Sequence, residues 1–471
     1  MRPVLTPAEM ADADRRAIAA GTPVSVLMER AGRAVAWTVR RRCGGMYGKR
    51  VVIVCGKGNN GGDGLVAARV LRGWGARVEL FELAEGIDRA ACARALARAD
   101  CAVDAMYGTG FQGRLDGDAA WFVEALVASA PPVVAVDIPS GVDGLTGAFD
   151  PDGGAVVADV TVAFAALKPG LLFEPGATHA GHVVVADIGI DVAGSTIGVT
   201  EAADVRDALP VRAADSHKWR AAVMVVGGSD GMTGAPLMVS HAAMRTGAGI
   251  VWCCIPGAGG AAARAAGTEV ITKDLGEVTD ALDDVERFRA LVVGPGLGRD
   301  DRIAAGVREL VAKAPVPLVL DADGLNALAG DPDPLRARDV DTIVTPHEGE
   351  YARLAGEAVG TDRLAGARRL AERSGAVVLL KGPATVVAEP GRRAAINPTG
   401  GPWLASAGTG DVLSGVVGGV LAGGVDAFRA AAAAAWLHGR AADHAGHEGL
   451  VASDLIGAIP PTLREIEEDS R

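Results

Sequence analysis

Along the chain, short apolar runs alternate with stretches whose apolar positions recur every three to four residues. Val51-Val52-Ile53-Val54-Cys55 is the first such run, and the stretch from Gly64 to Trp74 after it has helical spacing. Further strand runs are expected near residues 77–81, 101–104, 133–137, 156–164 and 182–187. Ahead of them, Thr6 and Glu9 form a capping-box pattern opening one helix, and residues 24–42 read as a second with a basic end. Strands alternating with helices predict an α/β chain with mostly parallel, doubly wound sheets.

Residues 191–216 break the rhythm, and the domain boundary is placed there. The expected domains are 1–210 and 215–471. A new series opens with Ala222-Val223-Met224-Val225-Val226 and continues with strands near 250–254, 290–293, 317–321, 342–345, 376–380 and 384–388. Long apolar helices over 407–422 and 426–445 close it, and the acidic end 465–471 is expected to fray.

Composition narrows the function classes. With 471 residues, 49% hydrophobic and 22% charged, the chain is long enough for two or three globular domains. A net charge of −12 excludes broad electrostatic attraction to nucleic acid or anionic membrane, so any phosphate site must be local. The six cysteines include no CxxC pair, and no uncharged apolar run is long enough to span a bilayer, which predicts a reduced, cytoplasmic setting.

Three segments of the first half carry chemistry. Gly56-Lys57-Gly58-Asn59-Asn60-Gly61-Gly62-Asp63-Gly64 lies between a strand and a helix, where backbone N–H groups converge on an anion. It is neither a spaced dinucleotide fingerprint nor a Walker A loop, and glycines at such a turn also serve plain geometry. Asp104 precedes Gly108-Thr109-Gly110-Phe111-Gln112-Gly113-Arg114, and Asp137 precedes Ile138-Pro139-Ser140. At strand carboxyl ends these residues face one crevice, unless Asp104 and Asp137 merely cap loops.

Together with Ala166-Leu167-Lys168-Pro169-Gly170, these motifs resemble the NAD(P)H-hydrate epimerase family over residues 1–210. The resemblance implies a Rossmann-like domain that interconverts the R and S forms of hydrated NADH and NADPH (NADHX and NADPHX) with a bound K+. It implies that Asn59, Asn60, Gly61, Gly62, Asp63 and the segment from Gly108 to Arg114 contact the hydrate. By the same transfer Asn60, Asp104 and Ser140 hold K+, and Asp137 is the acid/base that also touches substrate. Lys168 is either a balance for ligand phosphate or a surface lysine.

In the second half Gly408-Thr409-Gly410-Asp411 opens a long apolar helix, placing N–H groups where a phosphoryl group can sit and Asp411 where it can take a hydroxyl proton. Loops at Gly294–Gly298, Asp321–Asn326 and Thr345–Glu350 follow strands, and Lys381-Gly382-Pro383-Ala384-Thr385 joins two strand runs as an adenine-nucleotide clamp. With His217-Lys218 and the segment 227–235, the set resembles the ADP-dependent NAD(P)H-hydrate dehydratase family, which has a ribokinase-like fold. One departure is Trp219, where that family shows a glycine. The resemblance implies that Lys381, Gly382, Pro383, Ala384, Thr385 and Gly410 bind nucleotide, and that Ala235, Gly298, His347 and Asp411 contact the hydrate. Asp411 is the expected base, ADP the phosphoryl donor and Mg2+ its companion, with Asp321, Asp323 and Glu350 as ligand candidates or supporting acids.

The expected function is therefore repair of hydrated NADH and NADPH, by epimerisation and then ADP-dependent dehydration, in a homo-oligomer. The alternatives are a small-alcohol kinase with an accessory front domain, and a non-catalytic sensing or interaction module. His438, His444 and His447 are read as ordinary histidines of one helix, Trp403 as either a nucleotide cover or core, and one of Cys253 and Cys254 as core.

Overall fold

The computed structural model describes residues 1–209, 214–257, 264, 269–391 and 393–468. The chain divides into two compact units, Arg2–Thr196 and Ile197–Arg471 with Met1. The division falls inside the segment 191–216 but ahead of residue 210. The reason is that Ile197–Val199 pairs as a strand in the second unit.

In the first unit β1 (Arg2–Val4) bridges to Leu167 through Val4. The sheet is made of β2 (Arg50–Cys55), β3 (Arg77–Glu82), β4 (Cys101–Ala105), β5 (Val133–Val136), β6 (Val160–Phe164) and β7 (His182–Ala186). Its order is β3-β2-β4-β5-β6-β7, parallel throughout. Alternate residues of β2 enter different cores, Val51 and Ile53 one and Val52 and Val54 the other, so helices cover both faces as expected. The opening helix Pro7–Ala19 has its capping box, Thr6 with Glu9.

The second unit contains β8 (Ile197–Val199), β9 (Ala222–Val226), β10 (Ile250–Pro256), β11 (Ile271–Leu275), β12 (Ala290–Val293), β13 (Leu318–Leu320), β14 (Thr342–Val344), β15 (Val377–Leu380), β16 (Val386–Ala388) and β17 (Ala394–Ile396). From β8 the order runs β8-β17-β16-β15-β14-β13-β12-β9-β10-β11. Only the β15–β16 and β16–β17 pairs are antiparallel. Helix Thr409–Leu421 is buried along nearly its whole length, which its apolar sequence requires. It lies so close to helix Gly234–Thr246 that a Cβ on Gly415 would stand 2.2 Å from the Val239 carbonyl oxygen.

Several expectations change. Cys253 and Cys254 are both core, because both faces of β10 are covered. A third helix, Ala452–Glu468, ends the described chain, its pattern masked in sequence by Pro460 and Pro461. Residues 465–468 therefore do not fray: Ile466 is buried and Glu465 receives Arg440 and His444. Residues 469–471 of the expected fray lie outside the described residues. No described helix is long and apolar enough to cross a membrane.

Candidate active sites

In the first unit, Asn59 to Asp63 form the first turn of helix Asn59–Gly73 rather than a loop. The close approach that makes this possible is backbone on backbone, since a Cβ on Gly61 would lie 1.9 Å from the Gly56 carbonyl oxygen. A cavity of about 940 Å³ opens at this helix start. Asn59, Asn60, Asp63, the segment from Gly108 to Gln112, Asp137 and Lys168 line it.

Asp137 follows β5 with φ +67°, a conformation that costs a non-glycine residue on the order of 1–3 kcal/mol and is kept only where surroundings enforce it. Its carboxylate accepts from Lys168 Nζ at 2.5 Å and the Phe164 N–H at 3.3 Å on Oδ1, and from the Thr109 N–H at 3.1 Å on Oδ2. Lys168 is fully buried and also donates to the Phe164 carbonyl at 2.9 Å. It is thus neither a surface lysine nor free to balance ligand phosphate, because a buried ammonium needs a counter-charge and Asp137 supplies it. Asn60 Nδ2 and Thr109 Oγ1 are buried without a partner beside this carboxylate, as expected of groups that wait for a ligand.

Asp104 lies within β4, deeper than the cavity wall, and not on a loop. It accepts from Ser140 Oγ at 2.6 Å, the Ser140 N–H at 2.8 Å and the Met106 N–H at 3.2 Å. Burial pushes its carboxyl up to about 6, against the hydrogen bonds that lower it. Gly61 and Gly62 pack behind the wall, against Gly56 and Met28. Arg114 turns outward to Asp152 at 3.7 Å.

The second unit gathers its polar groups at the start of helix Thr409–Leu421, which follows Gly408 and has no side-chain cap. Its first N–H groups are therefore available to an anion. Lys381 Nζ lies 2.9 Å from Asp321 Oδ1 and 3.5 Å from Glu350 Oε2, and would be 3.7 Å from a Cβ on Gly410. Ser414 Oγ donates to Asp321 Oδ2 at 2.6 Å. Burial acts to raise Asp321, but Lys381 and the hydrogen bonds override it and hold the carboxyl below its usual range. Asp411 has no such partner: burial, then Asp321 and Glu350, push it up to about 6 although Lys381 opposes them.

The other expected residues lie on loops and helix starts after strands of the same sheet, Ala235 in the first turn of helix Gly234–Thr246. Gly298 N–H donates to Asp323 Oδ2 at 3.0 Å, and Ala235 packs against Gly296. His347 caps helix Glu348–Ala355, its Nδ1 accepting from the Gly349 N–H, and its Nε2 lies 3.5 Å from Glu350. The segment 381–385 links β15 to β16, with Arg363 donating to the Lys381 carbonyl at 3.1 Å. Lys381 itself is engaged by acids, so its side chain faces the anion site rather than an adenine ring.

Of the histidines, His438 Nε2 pairs with the Thr409 carbonyl at 2.9 Å and His444 with Glu465. His447 lies beyond helix Ala427–Ala445 and stacks on Trp403, ring centroids 3.6 Å apart. The three do not share one helix, and no metal cluster of His, Cys, Asp or Glu occurs among the described residues.

Sequence reasoning missed Asp14, Ser414 and Arg363. Asp14 had a signal: Met10, Asp14 and Ile18 are spaced by four on helix Pro7–Ala19, and all three line the cavity. An acid within an apolar stripe marks a face turned to polar contents. Ser414 lies one turn past Gly410, but its partner Asp321 is distant in sequence. Arg363 carries no local signal.

Comparison with known proteins follows the same division. The family model described as NAD(P)H-hydrate dehydratase matches residues 223–461. That described as YjeF-related protein N-terminus matches residues 24–99 and 84–170. The bifunctional NAD(P)H-hydrate repair enzyme of Moorella thermoacetica is 40% identical, covering 99% of this chain and 97% of its own. That of Pyrobaculum aerophilum is 36% identical and covers 99% of each. The ADP/ATP-dependent NAD(P)H-hydrate dehydratase of Bacillus subtilis, solved after co-crystallisation with ATP and Mg2+, is 32% identical with a TM-score of 0.52, covering 57% of this chain and 98% of that one.

Proposed function

The chain belongs to the family of bifunctional NAD(P)H-hydrate repair enzymes, and on that premise we propose how its two sites divide the work. The observation that carries the division is that each unit holds its own carboxyl beside a lysine, Asp137 paired with the fully buried Lys168 and Asp411 near the partly exposed Lys381.

In the first unit the hydrate enters the cavity with its nicotinamide end toward Asp137, and Asn60 and Thr109 offer their unpartnered polar atoms to it. Asp137 moves the proton that lets the C6 hydroxyl be lost and regained. Asn60, Asp104 and Ser140 present amide, carboxylate and hydroxyl oxygens, a donor set that fits an alkali ion. To reach such an ion Asp104 and Ser140 would exchange part of the hydrogen bonding that now joins them, Ser140 Oγ and N–H to the carboxylate. A K+ ion held by these residues would supply a fixed positive charge beside the loops that follow β4 and β5.

In the second unit the N–H groups of helix Thr409–Leu421 and Lys381 receive the nucleotide phosphates, and Asp411 takes the C6 hydroxyl proton as a phosphoryl group arrives from ADP. Loss of phosphate with the C5 proton restores NADH or NADPH. A carboxylate cage for Mg2+ does not fit this chain: Asp321 is held by Lys381 and Ser414, Asp323 by Arg299, Asn326 and the Gly298 N–H, and Glu350 by the His347 N–H and Lys381. The expected ligand role of these acids gives way to a positioning one. Six free cysteines, five of them buried, suit a reducing cytoplasmic setting.

The test is to incubate the chain with mixed R and S hydrates, K+ and ADP and to follow the reduced-nicotinamide absorbance. Complete recovery of coenzyme is expected. A stable phosphorylated alcohol without recovery would favour a kinase, and unchanged hydrate would overturn the reading.

A further inference from the structure

Inverting a carbon that bears a hydroxyl takes two proton movements, one onto the departing oxygen and one off the arriving water on the opposite face. Asp137 is arranged for the second. Each of its contacts is a donor, two of them, from Lys168 and Phe164, on Oδ1 and one, from Thr109, on Oδ2, which favours the carboxylate and leaves one lone pair of Oδ2 to take a proton.

Asp63 is arranged the other way. It lines the same cavity, is 7% exposed and has no side-chain hydrogen bond among the groups that act on it. The charges that face it are Asp137 from the end of β5 and Asp14 from helix Pro7–Ala19, and the Cys55 thiol lies near it on β2. Lys168 acts on Asp14 and is paired with Asp137. Resting on the epimerase reading, we infer that Asp63 is a second catalytic residue of the first unit, the proton donor whose partner base is Asp137.

Asp63 gives its carboxyl proton to the C6 hydroxyl. The C6–O pair leaves with the oxygen as water, and the ring nitrogen's lone pair closes N1=C6. Water adds to C6 from the other face, that π pair returns to nitrogen, and Asp137 takes the surplus proton. Exchange between the two carboxyls through cavity water resets them, and the reverse reaction exchanges their roles. Burial, then Asp137 and Asp14, push Asp63 up to about 8, so its acid form prevails at neutral pH.

The experiment uses the full chain and separated hydrate epimers, with kcat and KM for interconversion followed from about pH 5 to pH 10. Asp63→Asn is expected to lower kcat by about 10²–10⁴-fold, to change KM by less than about threefold and to abolish the fall in kcat above about pH 8. Asp63→Glu keeps a proton and is expected to keep that alkaline fall. Dehydration of pure S hydrate by the same preparations checks the amount of working protein. Retention by Asp63→Asn of more than about a third of kcat, or of the alkaline fall, overturns the proposal. Should Asp63→Asn not fold, loss of the alkaline fall in folded Asp63→Glu overturns it instead. If the unaltered chain does not interconvert the epimers, the epimerase reading itself fails and the inference with it.

Discussion

Lys168 Nζ rests 2.5 Å from Asp137 Oδ1, joining a fully buried ammonium to a carboxylate whose backbone is held at φ +67°. The pair sets both the position of the acid/base and much of the local stability. Lys168→Met would leave Asp137 buried without its counter-charge, at a cost of about 3–5 kcal/mol. Denaturant unfolding should show that loss, and Lys168→Met with Asp137→Asn should recover part of it. Equal stability of the single and double variants would show that the two residues are not coupled.

The two activities should separate by mutation. Asp137→Asn is expected to reduce epimerisation by about 10²–10⁴-fold and leave dehydration of pure S hydrate unchanged, and Asp411→Asn to do the reverse. Assays on separated epimers read this directly. Parallel loss of both activities in either variant would point to one shared site.

Dehydration should depend on pH through Asp411. A base works in its ionised form, and burial pushes Asp411 up to about 6. The rate under saturating ADP should therefore rise as pH passes through about 6 and level off above it. A flat profile from pH 5 to 8 would remove Asp411 from that role.

Stability should depend on pH through His438. Burial lowers its imidazole to about 4 against an unfolded value of 6.5, so the unfolded chain binds the extra proton between those values. The contribution is complete above 6.5 and lost as pH falls to about 4, a change of roughly 3 kcal/mol. His438→Gln should flatten that part of the stability profile in calorimetry or urea unfolding.

Gly415→Ala tests the packing behind the anion loop. Its methyl would meet the Val239 carbonyl oxygen at 2.2 Å, and the backbone cannot yield as a flexible side chain would. A loss of about 1–3 kcal/mol is expected, with a lower dehydration rate as the helix start shifts. Wild-type stability in this variant would mean the helices can part without cost.

Much of this was legible from local pattern. The buried strands β2, β4, β9 and β12 read as apolar runs, and Asp411 is fixed by a motif that itself opens a helix. The short strands β8, β11 and β17 were not legible, because Ile197–Val199 and Ala394–Ile396 are only three residues long and Ile271–Leu275 carries Lys273 and Asp274, so each becomes a strand only by pairing. The glycine segment was misread as loop, since glycine lowers helix propensity and only the packing of Gly61 on Gly56 explains why it coils. Lys168 looked like any lysine because its partner lies 31 residues away. The Lys381–Asp321–Ser414 chain joins three distant segments, which spacing cannot reveal.

That last arrangement affects which molecules the second site accepts. Before any nucleotide arrives, Lys381 is already shared between two carboxylates, so an incoming anion must draw the ammonium away from them. A lone inorganic ion has little with which to compete. A diphosphate, gripped along its length by helix amides and anchored by its base, has more, and the resting charge balance therefore acts as a filter for larger polyanions.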